Sequence, residues 1–203
     1  MRRVHARYLR RPAAVVAAAA LATGSLLTGT AATAAPAATD APASTVQTAR
    51  FEIDFLQDMI DHHTMAVMMA ETCVAKASHS ELRDTCESII ESQSAQVDLM
   101  QGWLDDWYGI SYEPQMSRGD MRAIDRLESL SGAEFEIAFM RSMIRHHWAA
   151  LREARVCLDR AEHPDLLGLC EDIRTEQIGE IAQLQTWLEQ WYDRPGGRPA
   201  HTA

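Results

Sequence analysis

The chain has 203 residues, 47% hydrophobic and 24% charged, with 29 acidic against 19 basic side chains and a formal net charge of −10. That length supplies a single helical core. So acidic a composition is a poor partner for nucleic acid or anionic membrane and a good one for cations, and no hydrolase nucleophile, phosphate loop or nucleotide fingerprint occurs in it.

Residues 1–35 have an arginine-rich start, an apolar middle and small-residue ends such as Ala32-Thr33-Ala34, the layout of a secretory signal peptide. The apolar stretch is short and broken by Gly24, Ser25 and Gly29, which argues against a membrane anchor. No cysteine follows it, which argues against a lipid anchor. The expected product is secreted or extracytoplasmic, soluble, and not inserted in a membrane after cleavage. Cleavage removes five arginines and no acid, leaving 14 basic residues against 29 acidic ones, net −15. Residues 36–49, rich in Ala, Pro and Thr, read as a disordered linker, and 194–203 as a disordered tail.

Between them the chain repeats itself with an offset of 84 residues. Phe51, Glu52, Phe55, Met59, His62 and His63 recur as Phe135, Glu136, Phe139, Met143, His146 and His147. Cys73, His79, Cys86, Gln93, Trp103, Trp107 and Tyr108 recur as Cys157, His163, Cys170, Gln177, Trp187, Trp191 and Tyr192. Each unit (50–108 and 134–193) reads as two helices; in the first, these cover about 50–77 and 80–107 around the turn "ASHSE". In the second, Pro164 marks a helix start. Residues 109–133 read as a loop and a short helix, opened by a capping box of Ser117 with Asp120. Two antiparallel hairpins with apolar stripes bury them best against each other. The expected class is therefore all-α, a four-helix bundle.

At about 100° per residue, Phe55, Met59, Ala66, Ala70 and Cys73 define one buried stripe, with His62 and His63 to either side of Met59. Glu52 and Glu136 fall in the same arc, and Gln93 and Gln177 are central on the facing helices. Counting back from the turn brings the histidines level with Gln93 to Val97 and Met59 level with Met100. Buried polar groups must be hydrogen-bonded or coordinated. Imidazole beside thioether is a ligand set for copper, especially Cu(I). Met59, His62, His63 and Met100, with Met143, His146 and His147, are thus the candidate ligands, and Glu52, Gln93, Glu136 and Gln177 the candidate outer groups. Met65 and Met68 point away from the stripe centre. The cysteines, one before and one after each turn, predict disulfides Cys73–Cys86 and Cys157–Cys170 in an oxidising compartment.

The stretches "FEIDFLQDMIDHHTMAVMMAE" and "FEIAFMRSMIRHHWAALREA", each followed by a glutamine-bearing helix ending in Trp-Leu, resemble the domain-of-unknown-function family 305, in tandem copies. The resemblance implies a ferritin-like arrangement of four helices, export, copper binding and tolerance, and the same methionines and histidines as ligands. Departures from the family pattern are Glu at 52 and 136, Gln96 where the second unit has Glu180, and Leu184 where the first unit has Met100. Trp148, Arg152 and Arg155 are expected to crowd the second site, so the first unit is expected to bind copper better. The reading is of a binding protein rather than an enzyme. Two other classes compete: a metal-free, disulfide-stabilised interaction module displaying Trp103, Trp107, Trp187 and Trp191, and a di-iron carboxylate enzyme. The latter wants Glu-x-x-His pairs, and no acid lies three residues before any of the four paired histidines.

Overall fold

The computed structural model describes residues 43–192, all of whose regular elements are helical. The signal-peptide stretch, residues 36–42 of the linker and the 194–203 tail lie outside them. Four long helices, α1 (Ala43–Lys76), α2 (Ser80–Tyr108), α4 (Gly132–Arg160) and α5 (Pro164–Trp191), are joined midway by the short α3 (Arg118–Glu128). The all-α class and the two hairpins, α1–α2 and α4–α5, are as expected, but part of the linker is not. Helix α1 starts at Ala43, just after Pro42, and the Thr48 hydroxyl donates to Glu162 at 3.2 Å across the bundle. Alanine and glutamine are good helix formers, and a tertiary contact holds what composition alone left as coil.

The helix ends follow local chemistry. Gly109 takes a left-handed φ of 67° after α2, so that its N–H reaches Asp105 and the Ile110 N–H reaches back to Leu104. Ser117 and Asp120 form the expected capping box on α3. Cys73–Cys86 and Cys157–Cys170 are disulfide-bonded, pinning the α1–α2 and α4–α5 turns. Each closes a short loop and stabilises by roughly 3 kcal/mol in the chain-entropy account.

The hairpins meet through α1 and α4, which run antiparallel. Phe55, Met59 and Ile60 of α1 share a core cluster with Ala150, Ala154 and Cys157 of α4, and Met100 and Leu104 of α2 join them. At the other end Ala66, Ala70 and Cys73 pack with Phe135, Phe139 and Met143, and Ile124 and Leu127 of α3 close over that half.

Each hairpin's turn is capped by the other hairpin. His79 and His163 precede α2 and α5 but make no side-chain cap. Instead Glu52, buried on α1, accepts from the backbone N–H groups of Glu162 (2.7 Å) and His163 (3.0 Å), and from the Tyr108 hydroxyl. Glu136 on α4 does the same for Ser78 N–H, His79 N–H (3.0 Å) and the Tyr192 hydroxyl, and its other oxygen lies 2.6 Å from His79 Nδ1. Burial would raise both carboxyl pKa values, but these donors outweigh it and hold both below the ordinary range. Trp191 stacks on His79 at 3.8 Å and Trp107 on His163 at 4.0 Å, and Trp187 and Trp103 stack behind them. The four tryptophans are therefore largely engaged in closing the bundle ends.

Removing one of these carboxylates strands two turn amides and a tyrosine hydroxyl. Glu52→Ala and Glu136→Ala are each expected to lower the unfolding free energy by roughly 2–4 kcal/mol, read as a shift of the urea midpoint at unchanged slope. A loss under about 1 kcal/mol in both would show the caps to be incidental.

Candidate metal centre

Neighbouring residues on a helix point about 100° apart, so a histidine doublet can serve two interfaces at once. His62 faces α4, where its ring lies 3.6 Å from that of His146, centroid to centroid. His63 turns to its own hairpin partner, with Nε2 2.7 Å from Gln96 Oε1 on α2. The second doublet repeats the division: His146 meets His62, and His147 Nε2 lies 2.6 Å from Glu180 Oε2 on α5, close but off hydrogen-bond alignment. His62 and His146 are equivalent positions of the repeat, so the pseudo-dyad of the bundle passes between them. The two expected sites are thus not separate; both doublets lie in one polar layer between the apolar halves of the core.

His63 and His147 are fully buried, and Gln93 and Gln177 of the facing helices are 2% exposed. Gln96 donates its amide N–H to Glu176 at 3.0 Å, so its carbonyl faces His63, and the ring must donate from Nε2. The lone pair of His63 then sits on Nδ1. That atom, Nδ1 of His147, both ring nitrogens of His62 and His146, and the carbonyl oxygens of Gln93 and Gln177 are buried without a hydrogen-bond partner. Such a concentration of unmatched polar atoms in one layer is rare in a protein core.

Three of the four imidazoles are held neutral. Desolvation, and then repulsion from His147, pushes the His62 pKa down to about 4. Desolvation and then His62 push His63 down to about 3. His146 is lowered well below 6.5 by the same two influences, burial first and then His62. Neutral imidazole is the metal-binding form. Met59 and Met143, each three residues before a histidine, lie about one helical turn away on opposite sides of the layer. Met59 shares its apolar half with Met100, as the count from the turn predicts, whereas Met143 shares the other half with Leu184. All three methionines are fully buried.

Two expectations about neighbours fail. Glu52 and Glu136 are not beside the histidines: ten residues of helix, about 15 Å, separate each from its doublet, and each caps the opposite turn. The stripe argument gives the face of a helix, not the height along it. Trp148, Arg152 and Arg155 do not crowd the second doublet either. They are exposed, and Arg152 folds back onto the Trp148 carbonyl at 2.9 Å. In the sequence Gln96 and Glu180 stand out only as a departure from the family pattern, and Glu176 not at all; the i,i+3 spacing of Gln93 with Gln96 and of Gln177 with Glu180 is the signal that places the first two beside the doublets. Among the described residues no three His, Cys, Asp or Glu side chains converge as a preformed metal cage. The His62 and His146 rings face each other rather than a common point.

The family model for the domain of unknown function DUF305 matches residues 52–188 in one continuous stretch that runs through both hairpins. The chain belongs to the DUF305 family. The match does not divide at the repeat, so one family copy per hairpin remains an expectation. CopM, solved in Cu(I)-bound, Cu(II)-bound and Ag-bound forms, is similar to this DUF305 chain at 30% identity. In the Cu(I)-bound form the TM-score is 0.63, over 70% of this chain and 97% of that one. A DUF305 fragment from Deinococcus radiodurans is 28% identical, with a TM-score of 0.61 over 69% of this chain and 96% of its own. A DUF305 protein from Streptomyces coelicolor, 23% identical, has the same fold, with a TM-score of 0.63 over 75% of this chain and 98% of its own. No functionally curated protein matches the sequence.

Because His62, His63 and His146 are held below their unfolded value of about 6.5, the unfolded chain binds more protons wherever the pH lies below 6.5 and above the folded values. The stability they permit is fully present above pH 6.5 and is lost as the pH falls toward 4 for His62 and 3 for His63. Each contributes a slope of up to about 1.4 kcal/mol per pH unit. Urea midpoints should fall steeply from pH 6.5 to pH 4 in the parent and more shallowly in His62→Phe/His63→Leu. Equal slopes would show that the layer does not control acid stability.

Proposed function

We propose that this is an exported copper-binding protein, and that the central layer binds the ion for sequestration and tolerance. The observation that carries the reading is the meeting of both histidine doublets on the pseudo-dyad, with unpartnered ring nitrogens, between two apolar halves that each hold a buried methionine. The residues suit the ion. Imidazole and thioether are soft donors matched to copper. His63 and His147 each present Nε2 to an oxygen of a facing helix, the arrangement in which outer groups orient a ligand ring. CopM, similar over nearly its whole length, is known in copper- and silver-bound forms.

In this reading His62, His63, His146 and His147 are the primary donors. Met59, Met100 and Met143 are the thioethers that can join them. Gln93, Gln96, Gln177 and Glu180 orient the rings. Binding requires the His62 and His146 rings to rotate out of their mutual contact. Export is supported by the amino-terminal sequence and by the two disulfides, and no helix among the described residues is long and apolar enough to cross a membrane.

Competition against a chromogenic Cu(I) chelator, under anaerobic conditions and with the disulfides intact, tests the reading. His62→Ala/His146→Ala should weaken Cu(I) binding by more than about a hundredfold, beyond the loss typical of outer groups. Leu184→Met, which restores a thioether opposite Met143, should strengthen it. Parental affinity in the double histidine variant would sink the proposal.

A further inference from the structure

We infer that the histidine layer is charge-matched to a monovalent soft cation, and that Glu180 is the positioning residue that sets the match. The inference rests on the copper-binding reading and deepens it by naming the valence of the ion.

The two halves of the layer differ in one charge. His147 Nε2 faces the Glu180 carboxylate at 2.6 Å, and that side chain is only 19% exposed. At the equivalent position of the first unit, His63 Nε2 faces the neutral amide of Gln96 at 2.7 Å. The remaining polar members, Gln93 and Gln177, are amides. Other carboxylates stand further out. Glu176 is exposed and reaches the layer only through Gln96, which donates to it at 3.0 Å. Asp120 of α3 acts on His62 through its field, but it is partly exposed and is held by the Ser117 N–H at 2.9 Å.

The layer therefore offers imidazoles and thioethers plus one near-buried carboxylate. Charge placed in a core is costly unless it is compensated there. An ion of charge +1 beside Glu180 leaves the layer neutral, while an ion of charge +2 leaves an uncompensated positive charge between two apolar clusters. The donors select for softness and the single carboxylate selects for valence, so Cu(I) and Ag(I) fit and Zn(II) does not. The pseudo-dyad also supplies the converse change. An acid at position 96 would occupy a place whose geometry Glu180 already demonstrates on the other side, and would give the layer two negative charges.

Competition titrations of the full, disulfide-bonded protein with Ag(I) and with Zn(II) test this on the parent, Glu180→Gln and Gln96→Glu. Glu180→Gln should weaken Ag(I) binding by about tenfold or more, the size expected of one charge a few ångströms away. Gln96→Glu should raise Zn(II) affinity relative to Ag(I) by about tenfold or more. Gln96→Glu changes the charge of the layer with Glu180 left in place, so it tests the charge match even if Glu180→Gln fails to fold. An unchanged ratio in Gln96→Glu, or unchanged Ag(I) affinity in a folded Glu180→Gln, overturns the charge match alone. A parent that binds neither Ag(I) nor Cu(I) overturns the copper-binding reading itself.

Discussion

The crossed carboxylate caps hold the rest of the structure in place. Glu52 satisfies the turn before α5 and Glu136 the turn before α2, so neither hairpin completes its own end. Two hydrophobic hairpins could slide along each other with modest loss, because dispersion and apolar burial are not directional. A buried carboxylate with fixed donors cannot slide. A shift of one residue along α1 would turn Glu52 by about 100° and leave both the carboxylate and the turn amides unmatched inside the protein, a penalty of several kcal/mol. The caps therefore set the antiparallel register of α1 on α4, and that register carries His62 to His146.

The polar layer has the opposite thermodynamic character. It interrupts the core with four imidazoles and two amides, many of their atoms unpartnered. A core built for stability alone would have apolar side chains of similar volume there. The disulfides at both turns and the aromatic stacks over His79 and His163 lie at the ends of the bundle. Strong ends make an unfavourable middle tolerable, and unsatisfied atoms in the middle are what a ligand could satisfy. Local rules fail in folded proteins chiefly where function requires it.

Much of this was legible in the sequence, and the gaps have definite causes. Helical period, turn residues and cysteine spacing gave the hairpins and both disulfides, because each depends on residues close in the chain. The stripe placed His62, His63, Gln93 and Gln177 inward, and the turn count placed Met59 with Met100. The height of Glu52 was not legible from one hairpin, since its partners, Glu162 and His163, are 110 and 111 residues away. The meeting of the doublets was hidden for the same reason: a repeat reads as two equal sites until something shows that the dyad runs through them. Trp148, Arg152 and Arg155 were misplaced because they follow the doublet in sequence, yet the helix turns them to solvent. The start of α1 was missed because composition carries no information about the contact between Thr48 and Glu162.

A centre on a pseudo-dyad changes what the two halves must each supply. If the units bound ions separately, the loss of Met100's counterpart to Leu184 would impair the second, and Gln96 in place of an acid would impair the first. In a shared layer the differences are complementary. The first unit contributes two methionines and a neutral amide, and the second contributes one methionine and the carboxylate. If the layer takes one monovalent ion, as proposed, two carboxylates would overcharge it, and a second methionine beside Met143 would add a thioether to a set of imidazoles. A duplicated helical hairpin whose copies meet at their equivalent histidines can thus become asymmetric at its flanks without losing its centre, because each flank is needed only once.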